Sequence, residues 1–323
     1  MNLPAYLHFE KIGRWFKLVS RVSLPTHNAP TQWTDECELP VNPFQASKGI
    51  SMQSAVIAQL IVTRLESLKS EIRHQWTNPQ GTHTRHLIVD DLLPPEVAQE
   101  IYDAFPQNAN GFLNRESFRE KKKTLTDLSQ HPAILSAITY AMQDPTVVEA
   151  VSKLVGFEHI VPDPSLYAGG LSMMYHGDFL NPHIDNSHGA DRQLYRRLNL
   201  LYYVSPDWSV QNGGAFELWD PLVRIQKTVA PSFNRLVVME TNRTSWHSVS
   251  AVQGRSVRCC VSNYYFSARS PEQTDYFHVT SFTGRPNESG RRVWGKADNW
   301  LRNVVSRTLR IGRNRRLVNR FRE

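Results

Sequence analysis

The chain has 323 residues, 40% of them hydrophobic and 10% aromatic, and a formal net charge of +7. That apolar content supports a folded core and excludes a disordered or low-complexity polymer. Three cysteines, Cys37, Cys259 and Cys260, make no disulfide framework, so a reducing, cytoplasmic setting is expected, with peripheral membrane contact as its variant. No apolar run reaches the roughly 18 residues of a membrane span. Glu10, Lys11, Arg14 and Lys17 interrupt any signal-like stretch. The charge is local: eight arginines against one acid lie between Arg302 and Glu323, a surplus equal to that of the whole chain. The body is neutral, and nucleic-acid binding is not expected of it.

Leu3, Leu7, Ile12, Trp15, Phe16 and Val19 predict a short amphipathic helix within residues 1–20. Pro25, Pro30, Pro40 and Pro43 mark a connector over 24–53. Ile57, Leu60, Ile61, Leu65, Leu68 and Ile72 recur at three- and four-residue steps and predict a helix with one apolar face. Residues 1–84 are thus expected to form a helical extension and linker.

The body is expected to span 85–290. Leu87-Ile88-Val89 reads as a strand, and Pro94-Pro95-Glu96 opens a helix carrying Val97 and Ile101. Lys121-Lys122-Lys123 reads as a solvated run. A helix is expected over 131–142. Another is capped by Asp144 and ended by Gly156. From Gly169 onward, short β-rich runs (171–175, 197–204, 215–219, 235–240, 257–266) alternate with turns, which suggests a sandwich or barrel. Residues 291–323 form a basic tail. Within it Trp300, Leu301, Val304, Val305, Thr308 and Leu309 make a helical stripe opposite Arg302, Arg307 and Arg310. Residues 299–323 suit either an anionic membrane surface or acidic polymer, or docking on the body.

His183-Ile184-Asp185 is the first chemical motif, because residues i and i+2 of an extended segment point to one side. Alone it is weak: His8-Phe9-Glu10 has the same pattern. His247 follows Asp185 by 62 residues, at the end of the strand containing Leu236–Met239. Two histidines and one carboxylate on one face leave three positions of an octahedral ion open, as in the facial triad of non-haem Fe(II) oxygenases. Arg258, eleven residues after His247, starts an otherwise neutral strand. A buried arginine there demands an anion, either a bound carboxylate or Glu217 or Asp220. Arg255 is the nearby alternative, in a turn. Cys259 and Cys260 read as core residues facing opposite ways, and His176 and His188 as surface histidines. Arg196 and Arg197 open an inner strand, where the expectation is either that one of them points toward the substrate mouth or that both form a solvated strand end.

Four ordered blocks carry a resemblance: GGLSMMYHGDFLNPHID (169–185), RLNLLYYVSPDWSVQNGGAFELWD (197–220), APSFNRLVVMETNRTSWHSV (230–249) and RCCVSNYYFS (258–267). With them the chain resembles the Fe(II)- and 2-oxoglutarate-dependent oxygenases, in particular the prolyl-hydroxylase-like branch. The resemblance covers roughly 85–283. It implies an α+β fold with a double-stranded β-helix, or jelly roll, flanked by helices. It implies that His183, Asp185 and His247 bind Fe(II) and carry catalysis, and that Arg258 pairs with the distal carboxylate of 2-oxoglutarate. Tyr203, with Tyr175 as second candidate, is expected to hydrogen-bond that carboxylate. Asn199 shares Tyr203's face and is expected to line the pocket. The cofactors implied are Fe(II), 2-oxoglutarate and O2, with ascorbate as accessory. The retained Asp185 favours hydroxylation over the halogenation of relatives that lack this carboxylate. The expected reaction is hydroxylation of an unactivated C–H bond of a peptidyl proline, a sugar or a small metabolite, with 2-oxoglutarate decarboxylated to succinate. The rival reading is a non-catalytic, metal-binding jelly-roll module tethered by its basic tail.

Overall fold

The computed structural model describes residues 9–12, 15–18, 43–272 and 274–308. The part of the expected connector over 24–42, with Cys37, and the arginine-rich end beyond 308 lie outside the described residues. The chain divides into two units, 1–41 and 42–323. In the first, β1 (Phe9–Ile12) and β2 (Trp15–Leu18) pair antiparallel, with Ile12 opposite Trp15. Strands therefore stand where the sequence predicts a helix. Phe9, Ile12, Trp15 and Phe16 favour a pleated strand, and Gly13-Arg14 between the runs is a two-residue hairpin signal.

The second unit opens with α1 (Pro43–Ser67) and α2 (Lys69–Thr77). The expected periodicity is realised in the burial of Ile57, Ile61, Leu65 and Ile72. β3 (His86–Val89) follows, then α3 (Pro95–Asp103), whose first turn carries the proline. β4 (Leu113–Glu116) and β5 (Glu120–Leu125) make a hairpin. α4 (Ala133–Ala141) and α5 (Pro145–Val155) come next. At α5 the Asp144 side chain accepts from the Thr146 amide and Gly156 ends the helix left-handed.

The remaining strands are β6 (Ile160–Pro162), β7 (Gly170–Met174), β8 (Phe179–Ile184), β9 (Tyr195–Tyr203), β10 (Phe216–Trp219), β11 (Gln226–Val229), β12 (Arg235–Glu240), β13 (His247–Val249), β14 (Arg258–Ser267) and β15 (Ser281–Phe282). All pairings are antiparallel, in the order β11-β10-β13-β8-β5-β7-β14-β9-β12-β3, with β15 beside β8, β4 beside β5 and β6 beside β14. The sheet curls on itself as a jelly roll. Tyr203, Val237, Met239 and Cys260 of one wall pack with Phe216, Leu218 and Val229 of the other. β5 joins the walls: Glu120 and Lys121 pair with β8, and Lys123 to Leu125 pair with β7.

The strand alternation divides two environments. Leu198, Leu200 and Tyr202 of β9 face outward with Cys259, Val261 and Tyr265 of β14, into a core shared with α1, α4 and α5. Asn199, Leu201 and Tyr203 face inward. Burying each large aliphatic side chain stabilises the unit by about 1.5–3 kcal/mol, so this helical backing holds one wall of the roll rigid.

α6 (Ser289–Thr308) begins ten residues before the expected helix start at Asn299. Asn299 Oδ1 accepts from the Phe282 amide at 2.9 Å, and its Nδ2 donates to the Phe282 carbonyl at 2.8 Å. Arg302 Nη1 donates to the Thr280 carbonyl at 3.0 Å. The helix thus docks on β15, while Trp300 and Leu301 stay 68% and 55% exposed.

One buried amide ties β12 to the segment before α3. Asn234, at φ 58°, accepts from the Leu93 amide and from the Tyr202 hydroxyl and donates to the Leu93 carbonyl at 2.7 Å. Asn234→Ala leaves these buried groups unpaired and places alanine in the left-handed region. It should cost about 3 kcal/mol, and Tyr202→Phe about 1 kcal/mol. Urea denaturation measures both; equal costs would contradict this ranking.

Candidate metal centre and its cavity

His183 is the penultimate residue of β8 and His247 starts β13, and the two are cross-strand neighbours. Their rings lie 4.0 Å apart. A register shift between β8 and β13 follows immediately, so that Val249 faces Leu180. Each Nδ1 lies 2.9 Å from the carbonyl two residues back, Asn181 for His183 and Ser245 for His247. A carbonyl only accepts, so each Nδ1 carries the proton and each Nε2 keeps its lone pair. The Nε2 atoms stand 3.7 and 3.8 Å from the two oxygens of Asp185. One ligand atom from each of the three residues falls within 4.8 Å of the others.

Burial favours the metal-binding form. His183 and His247 are 4% and 3% exposed. Desolvation pushes both imidazoles below their ordinary value, His183 to about 3, and the neighbouring His247 adds to the effect at His183. Lys122, which lines the same cavity as the two histidines, also depresses both. Both shifts favour the neutral imidazole that a metal ligand requires. The Phe282 ring stacks on His183 at 5.1 Å and Phe216 packs 5.7 Å from His247, fixing the ring planes. Two neutral nitrogen donors and one carboxylate fit Fe(II) or another borderline divalent ion.

Arg258 opens β14, 3% exposed. Its Nε donates to the Gly214 carbonyl at 2.7 Å, and its guanidinium lies 4.7 Å over the Tyr203 ring. Gly213 and Gly214 both have φ of +61°. A Cβ on Gly214 would come within 2.9 Å of Arg258 Cδ. The glycine pair therefore brings backbone against the arginine and aims it. Glu217, weighed as a partner for Arg258, instead receives Arg285 at 2.7 Å. Asp220 accepts from the Arg224 and Ile225 amides.

One cavity unites these groups; His183, Asp185, His247, Arg258, Asn199, Leu201 and Cys260 all line it. Asn199 Oδ1 is buried without a hydrogen bond, as is the Tyr203 hydroxyl. Burial raises the Tyr203 phenol well above its usual value, so it stays protonated and can donate. Tyr175 stands elsewhere. It follows Leu171 and Met173 on the outward phase of β7, and its ring faces Lys123 at 5.1 Å.

Of the two arginines opening β9, Arg196 turns inward. Arg197 occupies a bulge, opposite the step from Tyr265 to Phe266. This extra residue reverses the alternation and re-aims Arg196. Arg196, 1% exposed, lies 3.3 Å from Asp185 Oδ2 and 4.1 Å over Tyr264. Arg197 stacks on Phe157 instead. His176 is exposed as expected, whereas His188 is buried against Tyr195. Cys259 faces the helical core, and burial pushes its thiol up to about 12.

Sequence reading missed the hairpin. β5 alternates, so Glu120, Lys122 and Thr124 line the cavity while Lys123 turns out to Asp178 at 2.6 Å. The signal was present in Leu125, whose apolar side marks the opposite phase.

Residues 169–266 match the 2OG-Fe(II) oxygenase superfamily. Over 88 residues the chain is 30% identical to a mouse protein, prolyl 3-hydroxylase OGFOD1, covering 25% of this chain and 16% of that one. The chain thus spans about one sixth of the length of this curated relative. Among solved structures, a prolyl 4-hydroxylase of Phytophthora capsici is 18% identical, covering 78% of each chain at a TM-score of 0.47. One of Pseudomonas putida is 18% identical, covering 62% of this chain and all of that one at 0.45.

Asp185→Ala should weaken divalent-metal binding about a hundredfold or more while leaving the fold intact. Competition against a chromophoric chelator reads this directly. Unchanged affinity would place the metal elsewhere.

Proposed function

We propose, from the premise that residues 169–266 form a 2OG-Fe(II) oxygenase domain, that the protein is a 2-oxoglutarate-dependent dioxygenase that hydroxylates an unactivated C–H bond. The observation that supports this most is the presence of two features in one cavity: a buried His-Asp-His set and a buried arginine aimed by a glycine pair. A module that only stored a metal would have no use for Arg258.

His183, Asp185 and His247 hold the metal on one face and leave three positions for co-substrate and O2. Bound Fe(II) supplies the oxidising chemistry: 2-oxoglutarate and O2 become succinate and CO2, and one oxygen atom enters the substrate as hydroxyl. Arg258 pairs with the distal carboxylate of 2-oxoglutarate, its planar fork suiting that group. The guanidinium lies over the Tyr203 ring, and the buried phenol supplies a further donor. Asn199 lines the same inner face. Arg196 holds the Asp185 carboxylate, restricting how it turns toward the metal. The apolar walls from Phe216, Leu201 and Phe282 exclude water from the centre. The substrate classes consistent with the family resemblance are a peptidyl proline, a sugar and a small metabolite. Attachment of residues 299–323 to an anionic membrane or acidic polymer is a separate proposal, supported by the exposure of Trp300 and Leu301.

Metal-loaded protein should convert 2-oxoglutarate to succinate, and His183→Ala should abolish this. Gly214→Ala should raise the 2-oxoglutarate Kd about tenfold, the worth of one misplaced charge-assisted hydrogen bond, without changing metal affinity. Normal succinate output from His183→Ala would refute the assignment. Unchanged co-substrate affinity in both Gly214→Ala and Arg258→Ala would remove Arg258 from its role.

A further inference from the structure

α6 is fastened to the body through one of its faces. Asn299 and Arg302 bond the backbone of Phe282 and Thr280. Gly295 packs on the Phe282 carbonyl so closely that a Cβ there would come within 2.6 Å of it. At about 100° per residue these three positions share a side of the helix. Trp300, Leu301, Val304 and Val305 fall on the opposite side, 68%, 55%, 39% and 41% exposed. Nearer the start of the helix, Arg292 donates to the Leu222 and Val223 carbonyls at 2.7 and 2.9 Å. That ties the β10–β11 turn, where Leu222 and Ile225 are also exposed, to the same helix.

A contiguous apolar stripe that includes a tryptophan marks an interaction surface. Its charge setting selects the partner. From Arg302 to Glu323 the sequence holds eight arginines and one acid. An acidic polymer would need the cations alone and has no use for a tryptophan, a leucine and two valines in a row. A second copy of this chain would set eight arginines against eight, which repels. An anionic bilayer suits both features: its headgroup region takes up the apolar side chains, and its negative surface attracts the arginines.

We propose that α6 docks on an anionic phospholipid bilayer, with Trp300, Leu301, Val304 and Val305 inserted at the level of the headgroups. This commits the attachment of residues 299–323 to a lipid surface and does not depend on the oxygenase reading. Thr280 and Phe282, to which the helix is bonded, line the metal cavity. Docking of the helix therefore holds that cavity at the bilayer surface.

The test is sedimentation of the full chain with vesicles of phosphatidylcholine alone and of equimolar phosphatidylcholine and phosphatidylglycerol. The wild-type chain should bind the mixed vesicles about tenfold tighter or more, and added salt should reduce that preference. Trp300→Ser combined with Leu301→Ser removes two exposed apolar side chains. It should weaken binding to the mixed vesicles about tenfold or more, with the urea midpoint unchanged because neither side chain belongs to the core. Val56→Ser, on α1 and about as exposed as Leu301, should leave binding as it is. No binding of the wild-type chain to the mixed vesicles overturns the proposal. So does full binding by the Trp300→Ser, Leu301→Ser chain, which would leave only the arginines at work, or an equal loss in Val56→Ser. Sodium polyphosphate bound alike by both chains, with vesicles bound by neither, would assign the basic end to an acidic polymer instead. A wild-type dimer that separates in the double variant, again without vesicle binding, would assign the stripe to a second copy.

Discussion

Two imidazoles buried side by side, each with its Nδ1 committed to its own backbone, set the terms for the rest of this structure. Once Asn181 and Ser245 accept those protons, both Nε2 lone pairs are directed to a single region beside Asp185. Burial disfavours the imidazolium form of both histidines and so favours this arrangement. The strands therefore bring together a ligand set that a divalent ion would satisfy.

Everything around that set serves to keep two sheet walls in register. The helical layer of α1, α4 and α5 supports the outward face of β9 and β14. The inward face of the same strands presents Asn199, Tyr203, Arg258 and Cys260. The residue that turns Arg196 inward is a single bulge at Arg197. Asn181 links two functions in one residue: its carbonyl orients His183, and its amide groups pin the hairpin that carries Arg115 and Lys122. The orientation of a metal ligand and the placement of Arg115 and Lys122 thus depend on one residue.

Much of this was legible in the sequence. The three-four periodicity from Ile57 to Ile72, the cap at Asp144 and the β-rich runs after Gly169 each became the expected element, because local pattern and burial agree there. His183, Asp185, His247 and Arg258 share one cavity; two-residue alternation and an arginine in a neutral strand raised them as candidates, and the four ordered blocks of the family resemblance gave them their expected roles. Other features depended on tertiary contacts. The sign of the alternation in Lys121-Lys122-Lys123 is set by Asp178, more than fifty residues away. The outward phase of Tyr175 follows from the register of β7 against β14. The bulge at Arg197 has no local signature, and residues 9–12 and 15–18 pair as strands although their apolar spacing suggested a helix.

The most direct test of the central claim is an anaerobic titration of 2-oxoglutarate into the Fe(II)-loaded full chain, followed by visible absorption. The account predicts a weak charge-transfer band as the keto acid chelates the metal, absent in Asp185→Ala and requiring higher 2-oxoglutarate in Arg258→Ala. Iron binding with no spectral response to 2-oxoglutarate would contradict it and leave a metal-holding jelly roll without oxygenase chemistry.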